Sequence, residues 1–149
     1  MGLQKVIDRL GLNAEIIRFS KPVTTTRESV LALGISPEQI VKSILLILDE
    51  KRPLMCILRG SDRIDFKALR RLYSINNIRT ATPAEVLQHT GYEVGAVAPI
   101  IPDLESIADR RIMNYADVYG GGGTTTSLVK LSPDDILRYA KLQDFVISP

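Results

Sequence analysis

The sequence predicts an α+β (mixed α/β) fold in a single domain, and three observations carry that reading. Helix-capping sequences recur along the chain, short β-type runs lie between them, and no strand–glycine loop–helix unit sets up a regular doubly wound sheet. The 149 residues, 45% of them apolar, suit one domain with a real core. Residues 1–149 are read as one unit because no repeat, low-complexity tract or linker interrupts them.

From the amino end, Val6, Ile7 and Leu10 put an apolar stripe on a first helix. Glu15 to Phe19 reads as a strand, and a helix beginning near Thr26 should stop at Gly34. Ser36-Pro37-Glu38-Gln39, Thr82-Pro83-Ala84-Glu85 and Ser132-Pro133-Asp134-Asp135 each place a hydroxyl before proline, with an acid or amide two residues beyond. All three predict helix starts: the hydroxyl accepts from an orphan N–H, and proline at the first position forfeits no hydrogen bond. Ile44–Leu48 and Leu54–Leu58 read as strands of a hairpin joined around Lys51-Arg52-Pro53. Phe66, Leu69, Arg70 and Tyr73 mark another helix, and the one from Pro83 should end at Gly91. Asn77–Thr80, Glu93–Ala98, Asp117–Tyr119 and Ser127–Leu131 complete the strands. A dinucleotide-binding reading fails, because Gly120 to Gly123 lead into Thr124-Thr125-Thr126 and a strand instead of a helix.

Composition removes whole classes of function. A single cysteine, Cys56, allows no internal disulfide and no cysteine metal cluster, which fits a reducing cytoplasm. A single histidine, His89, removes most zinc enzymes and every triad that does not use it. No apolar run nears the roughly 20 residues of a membrane span. Asp8 and Arg9 argue against a signal peptide in Met1–Leu10, and Val6 stands where a myristoylation signal needs Ser or Thr. The net charge is +2, with 13 basic and 8 acidic residues up to position 75 and 6 against 9 beyond it. A basic stretch of Arg59, Arg63, Lys67, Arg70 and Arg71 is either a solvated helix face or a phosphate contact.

Three positions resist a purely structural reading. Lys42, in Ile40-Val41-Lys42-Ser43-Ile44, lies where a helix hands over to a buried strand, so its ammonium either snorkels outward or stands at the mouth of a pocket. In Gly91-Tyr92-Glu93-Val94-Gly95-Ala96-Val97-Ala98-Pro99, a glycine inside a strand-like run marks tight packing or a close approach by a ligand. Gly120-Gly121-Gly122-Gly123 has more glycines than a hairpin requires, and its N–H groups can approach a carbonyl or phosphate oxygen without side-chain obstruction. Cys56 reads as a structural buried thiol, and His89 as a residue completing a helix end.

Taken in order, these features resemble the YbaK/prolyl-tRNA-synthetase-associated (EbsC-like) editing family of aminoacyl-tRNA deacylases. The resembling residues are Ser29 to Gly34 with Gln39 to Ile44, Gly60-Ser61-Asp62-Arg63-Ile64-Asp65 with Leu69, Thr90 to Tyr92 with Gly95 to Pro99, Gly120 to Gly123, and Ser132 to Leu137. The resemblance implies a barrel-like mixed sheet flanked by helices, with no metal and no organic cofactor. It implies hydrolysis of the ester of a small amino acid (Ala, Cys, Pro or Ser) on tRNA of the prolyl type. The implied partners are the charged 3′ end and prolyl-tRNA synthetase, with no membrane, for a cytoplasmic monomer or homodimer. Among site residues it implies Lys42, Gly95, Gly121 and Gly122 for catalysis, and Thr25, Ala96, Pro99, Gly120 and Arg63 for substrate binding. Ala96 stands where many members have a second glycine, and the late histidine of some alanine-editing relatives has no counterpart, which bears on the amino acid selected. The competing reading is a non-catalytic module of the same fold that binds a tRNA end or an aminoacyl-like small molecule, using Arg59, Arg63 and Arg70 without turnover.

Overall fold

The computed structural model describes residues 2–148. Its elements run α1 (Leu3–Leu10), β1 (Glu15–Arg18), α2 (Thr26–Leu33), β2 (Val41–Leu48), β3 (Arg52–Arg59), β4 (Arg63–Ile64), α3 (Phe66–Tyr73), β5 (Ile78–Thr80), α4 (Pro83–Thr90), β6 (Ser106–Asp109), β7 (Val118–Gly121), β8 (Ser127–Leu131), α5 (Pro133–Leu137), β9 (Lys141–Gln143) and β10 (Val146–Ile147). The strands form three sheets: a mixed five-stranded sheet in the order β5-β2-β3-β6-β9, a three-stranded sheet β1-β8-β7 and the pair β10-β4. A parallel bridge between Ile40 and Tyr119 ties the start of β2 to β7, so the two larger sheets close partly on one another.

β2 and β3 are near-continuous apolar runs because both faces of their sheet are covered. Leu45, Ile47, Met55 and Ile57 point into a core shared with α1, β7 and β8. Leu46, Leu48, Leu54 and Leu58 point into a second core under α3 and Phe145. The hairpin between them turns on Asp49 and Glu50, at φ 48° and 58°, with Leu48 opposite Arg52.

Capping chemistry set the helices largely as expected. Thr25 and Thr82 each form a reciprocal capping box, with Glu28 and Glu85 respectively, while Gly34 and Gly91 terminate α2 and α4 in the left-handed region. Ser36-Pro37 behaves differently. It starts only a 3-10 turn, Pro37–Gln39, because the chain extends at Ile40 and pairs as β2 from Val41. Lys42 is therefore the second residue of a strand, not a helix-to-strand junction. Glu93–Ala98 is likewise no strand. Gly95 has φ +85°, and the Ala96 N–H turns back to the Glu93 carbonyl at 3.0 Å. β6 is central yet short, lying parallel to both β3 and β9.

Candidate active site

A cleft of about 280 Å³ opens between the start of α2, the amino-terminal half of β2, the 94–97 loop and the glycine end of β7. Each wall has a local cause. Thr25 starts α2 by accepting the Glu28 N–H at 3.1 Å, and the Glu28 carboxylate accepts the Thr24 hydroxyl and the N–H groups of Thr24 and Thr25, each at 3.1 Å. Those bonds, the Thr24 hydroxyl foremost, hold the Glu28 carboxyl below the usual carboxylate range. The carboxylate thus pins the helix start against the cleft.

Lys42 lines the cleft from β2, and its Nζ donates to the Gly60 carbonyl at 3.2 Å. Partial burial pushes the Lys42 ammonium below the ordinary lysine range, and the charge of Asp62 acts against that shift. Asp62 is fully buried and held by both arms of Arg59, at 2.9 and 3.1 Å. One bond to a carbonyl leaves the ammonium with two further protons to donate.

The glycines admit main chain to close range. A Cβ on Gly95 would lie 2.6 Å from Thr24 Cβ, so the loop seats directly on the approach to α2. A Cβ on Gly121 would lie 2.2 Å from the Val97 carbonyl oxygen and 2.9 Å from the Ala96 carbonyl carbon. The Gly122 N–H donates to Ser127 at 3.0 Å across the turn, so the alternation of an antiparallel pair aims the Gly121 N–H away from β8. Among the described residues the Gly95 N–H has no backbone or side-chain acceptor, which leaves it available to a ligand.

Lys42, Gly95, Gly120, Gly121 and Thr25 thus come together on one cleft. The remaining expected site residues stand elsewhere. Gly122 does not line it: its N–H is committed to Ser127, and a Cβ there would lie 2.5 Å from the Ser127 carbonyl carbon, so it shapes the turn instead of donating to an oxyanion. Ala96 is buried behind the wall, its carbonyl accepting the Gly123 N–H at 2.9 Å. Pro99 is buried against Gly120, where a Cβ would meet its ring at 3.1 Å, so it supports the floor from beneath. Arg63 is exposed on β4, outside the cleft.

Sequence reasoning missed Ser43, beside Lys42, whose hydroxyl is buried without a hydrogen-bond partner at the cleft wall. The signal was available: Ser43 is a polar residue interrupting an apolar run. An unsatisfied buried hydroxyl costs about 1–3 kcal/mol. Ser43→Ala is accordingly expected to raise the stability of the free protein by about 1 kcal/mol, read as a rise in Tm of about 2–4 °C. A fall in Tm would mean that the hydroxyl has a partner in solution.

The remaining nucleophile candidates are remote. Cys56 is fully buried in β3, where desolvation pushes its thiol well above the ordinary range. Iodoacetamide is therefore expected to label Cys56 only on the unfolding transition; labelling of the native protein at the rate of a free thiol would contradict this burial. His89 lies in the last turn of α4 and does not line the cleft.

A family model for the aminoacyl-tRNA editing domain matches residues 20–139. The chain is 30% identical over 120 residues to the proline–tRNA ligase of Streptococcus gordonii and 32% identical over 100 residues to that of Thermotoga maritima. Those alignments cover 78% and 67% of the chain but only 19% and 17% of the ligases, so the chain spans about a fifth of their length. It is also 24% identical over 128 residues to YwhH of Bacillus subtilis, an uncharacterised protein, covering 85% of this chain and 81% of that one. Two solved structures share the fold nearly end to end. One, described only as a hypothetical protein, gives a TM-score of 0.89 at 28% identity, covering 97% of this chain and 99% of its own. The other, a candidate trans-editing enzyme for prolyl-tRNA synthetase, gives 0.87 at 26% identity, covering 98% and 95%.

Proposed function

The chain belongs to the aminoacyl-tRNA editing domain family, and from that premise we propose that it is a deacylase, hydrolysing the ester between a small amino acid and the 3′ end of a prolyl-type tRNA. The observation that carries the reading is the meeting, in one small cleft, of the Lys42 ammonium with the main chain of Gly95 and Gly121. An aminoacyl ester is intrinsically labile, so positioning and oxyanion stabilisation suffice without a protein nucleophile. In this reading the N–H groups of Gly95 and Gly121 receive the oxygen of the tetrahedral intermediate. Lys42 holds the terminal ribose or phosphate with the protons left free by Gly60, and is not the base. The proton of the attacking water passes to the substrate itself, through a ribose hydroxyl or the amino group of the aminoacyl moiety. Apolar walls from Val23, Val94 and Val97 limit the side chain admitted to a small one.

The likeness to a candidate trans-editing enzyme and to an internal segment of proline–tRNA ligases supports action on tRNA alongside prolyl-tRNA synthetase. The single buried thiol fits a reducing, cytoplasmic setting. The test is a panel of tRNAs charged with labelled proline, alanine, serine or cysteine, incubated with the protein and followed for release. Release from any one of them supports the deacylase reading. Retention of label by all four, with the RNA bound, assigns the non-catalytic module instead.

A further inference from the structure

Three cations near the cleft have no partner among the described residues. Close in the chain to the cleft stand Lys21, two residues before the wall residue Val23; Arg27, next to the wall residue Thr26; and Arg63, three residues beyond Gly60, whose carbonyl accepts from the cleft residue Lys42. Gly60 itself packs on Thr26, where a Cβ would lie 2.5 Å from the threonine methyl, and three residues of chain put Arg63 within roughly 11 Å of it. All three cations are exposed, and none makes an ion pair or side-chain hydrogen bond among the described residues. The 94–97 loop, which seats on Thr24, carries the exposed Val94 and is preceded by Glu93. A hollow of about 450 Å³ between Phe19–Val23 and α2 shares Val23 with the cleft and continues past Lys21 to Leu31, which is 75% exposed.

The other cations of the basic stretch Arg59–Arg71 are engaged or ride on α3. Arg59 is held by Asp62, and Arg70 donates to the Asn76 carbonyl at 3.2 Å. Lys67 and Arg71 ride on α3, which covers the second core on the far face of the five-stranded sheet.

We propose that the acceptor end of tRNA docks on the Lys21–Arg27–Arg63 lip, its phosphates on those three cations and its unpaired 3′ nucleotides led along the hollow beside α2 into the cleft. The identity of the partner rests on the deacylase reading; the choice of lip rests on charge and shape. Unpaired cations bordering a cleft attract a phosphate backbone and release its counterions.

The experiment measures binding of a fluorescent, uncharged acceptor-stem minihelix ending in CCA, as a function of salt. The Lys21→Ala/Arg27→Ala/Arg63→Ala variant is compared with Arg9→Ala/Lys51→Ala/Lys141→Ala, which removes equal charge from other exposed positions. Expected for the lip variant are a Kd raised on the order of tenfold or more and a log–log salt slope shallower by about one per residue removed, with little change in the control. Equal weakening of both variants, or of neither, overturns the docking face. Charged minihelix deacylation is followed in parallel. Selective loss of binding with no turnover by the wild type counts against the deacylase reading and leaves the docking face standing, whereas turnover undiminished in the lip variant counts against the docking face alone.

Discussion

Lys42→Ala is expected to lower the rate of amino acid release from charged tRNA by about 10²-fold or more, because the terminal ribose or phosphate loses the ammonium that positions it. The fold should survive, because Lys42 is only partly buried and its one hydrogen bond, to the Gly60 carbonyl, is at the edge of β2. The sign of the stability change separates function from architecture. Burial lowers the folded-state pKa of Lys42 below its unfolded value, so the unfolded chain binds the proton more tightly. The ammonium therefore costs stability in full below the depressed folded value, and that cost fades as pH rises from there to the unfolded lysine range. Lys42→Met, which keeps the stem and removes the charge, is expected to be more stable than the wild type at neutral pH and equally inactive. The gain should disappear in strongly alkaline buffer. Undiminished deacylation by both variants would end the assignment of Lys42 to the substrate, and a large loss of Tm in Lys42→Met would make it a structural residue. Thermal melts across pH and single-turnover release provide both readings.

Gly121→Ala should damage the site from behind. The added methyl would lie 2.2 Å from the Val97 carbonyl oxygen and 2.7 Å from its carbon, both main-chain atoms that cannot rotate aside. Either β7 or the 96–98 loop must move, with an overpacking cost of about 1–3 kcal/mol. Because the loop carries Gly95 and the strand carries Gly121, the same movement misaligns both proposed oxyanion donors, and release should fall by about 10²-fold or more. Gly11→Ala serves as the comparison. Its Cβ meets nothing within 4 Å, but its φ of +65° makes alanine costly by about 1–2 kcal/mol. Two variants of similar stability, only one of them inactive, would tie the loss to the cleft; equal activity in both would remove Gly121 from it.

The contrast between Thr25 and Gly95 shows where sequence reading reaches. A Thr-x-x-Glu box makes its bonds within four residues, so the start of α2 is legible without knowing anything else about the chain. Lys42 was visible as a polar residue in an apolar run, and the surplus of glycines at 120–123 as a cost that a simple turn does not explain. The partner of each glycine was not visible. That Gly121 admits Val97, that Gly95 admits Thr24 and that Gly122 closes on Ser127 are contacts between segments remote in sequence or across a turn. Glu93–Ala98 was misread as a strand because its composition is β-like, whereas Gly95 at positive φ bends it into the loop that walls the cleft. β6 was missed for the converse reason: Ser106-Ile107-Ala108-Asp109 has little β character, and it is a strand because β3 and β9 supply its hydrogen bonds on both sides.

By itself, then, the amino-acid order determined the α-helices at Thr26, Pro83 and Pro133 with their caps, the β2–β3 hairpin, the family to which the chain belongs and the two glycine segments that stood out. Tertiary structure alone decided which of the suspected residues share a cleft, that Gly122, Ala96 and Pro99 stand behind it, and that Arg63 lies outside it. Capping bonds and alternating burial act over a few residues and leave a local imprint. Pairing partners and close main-chain contacts arise only when distant segments share one core, and no short stretch of sequence encodes them.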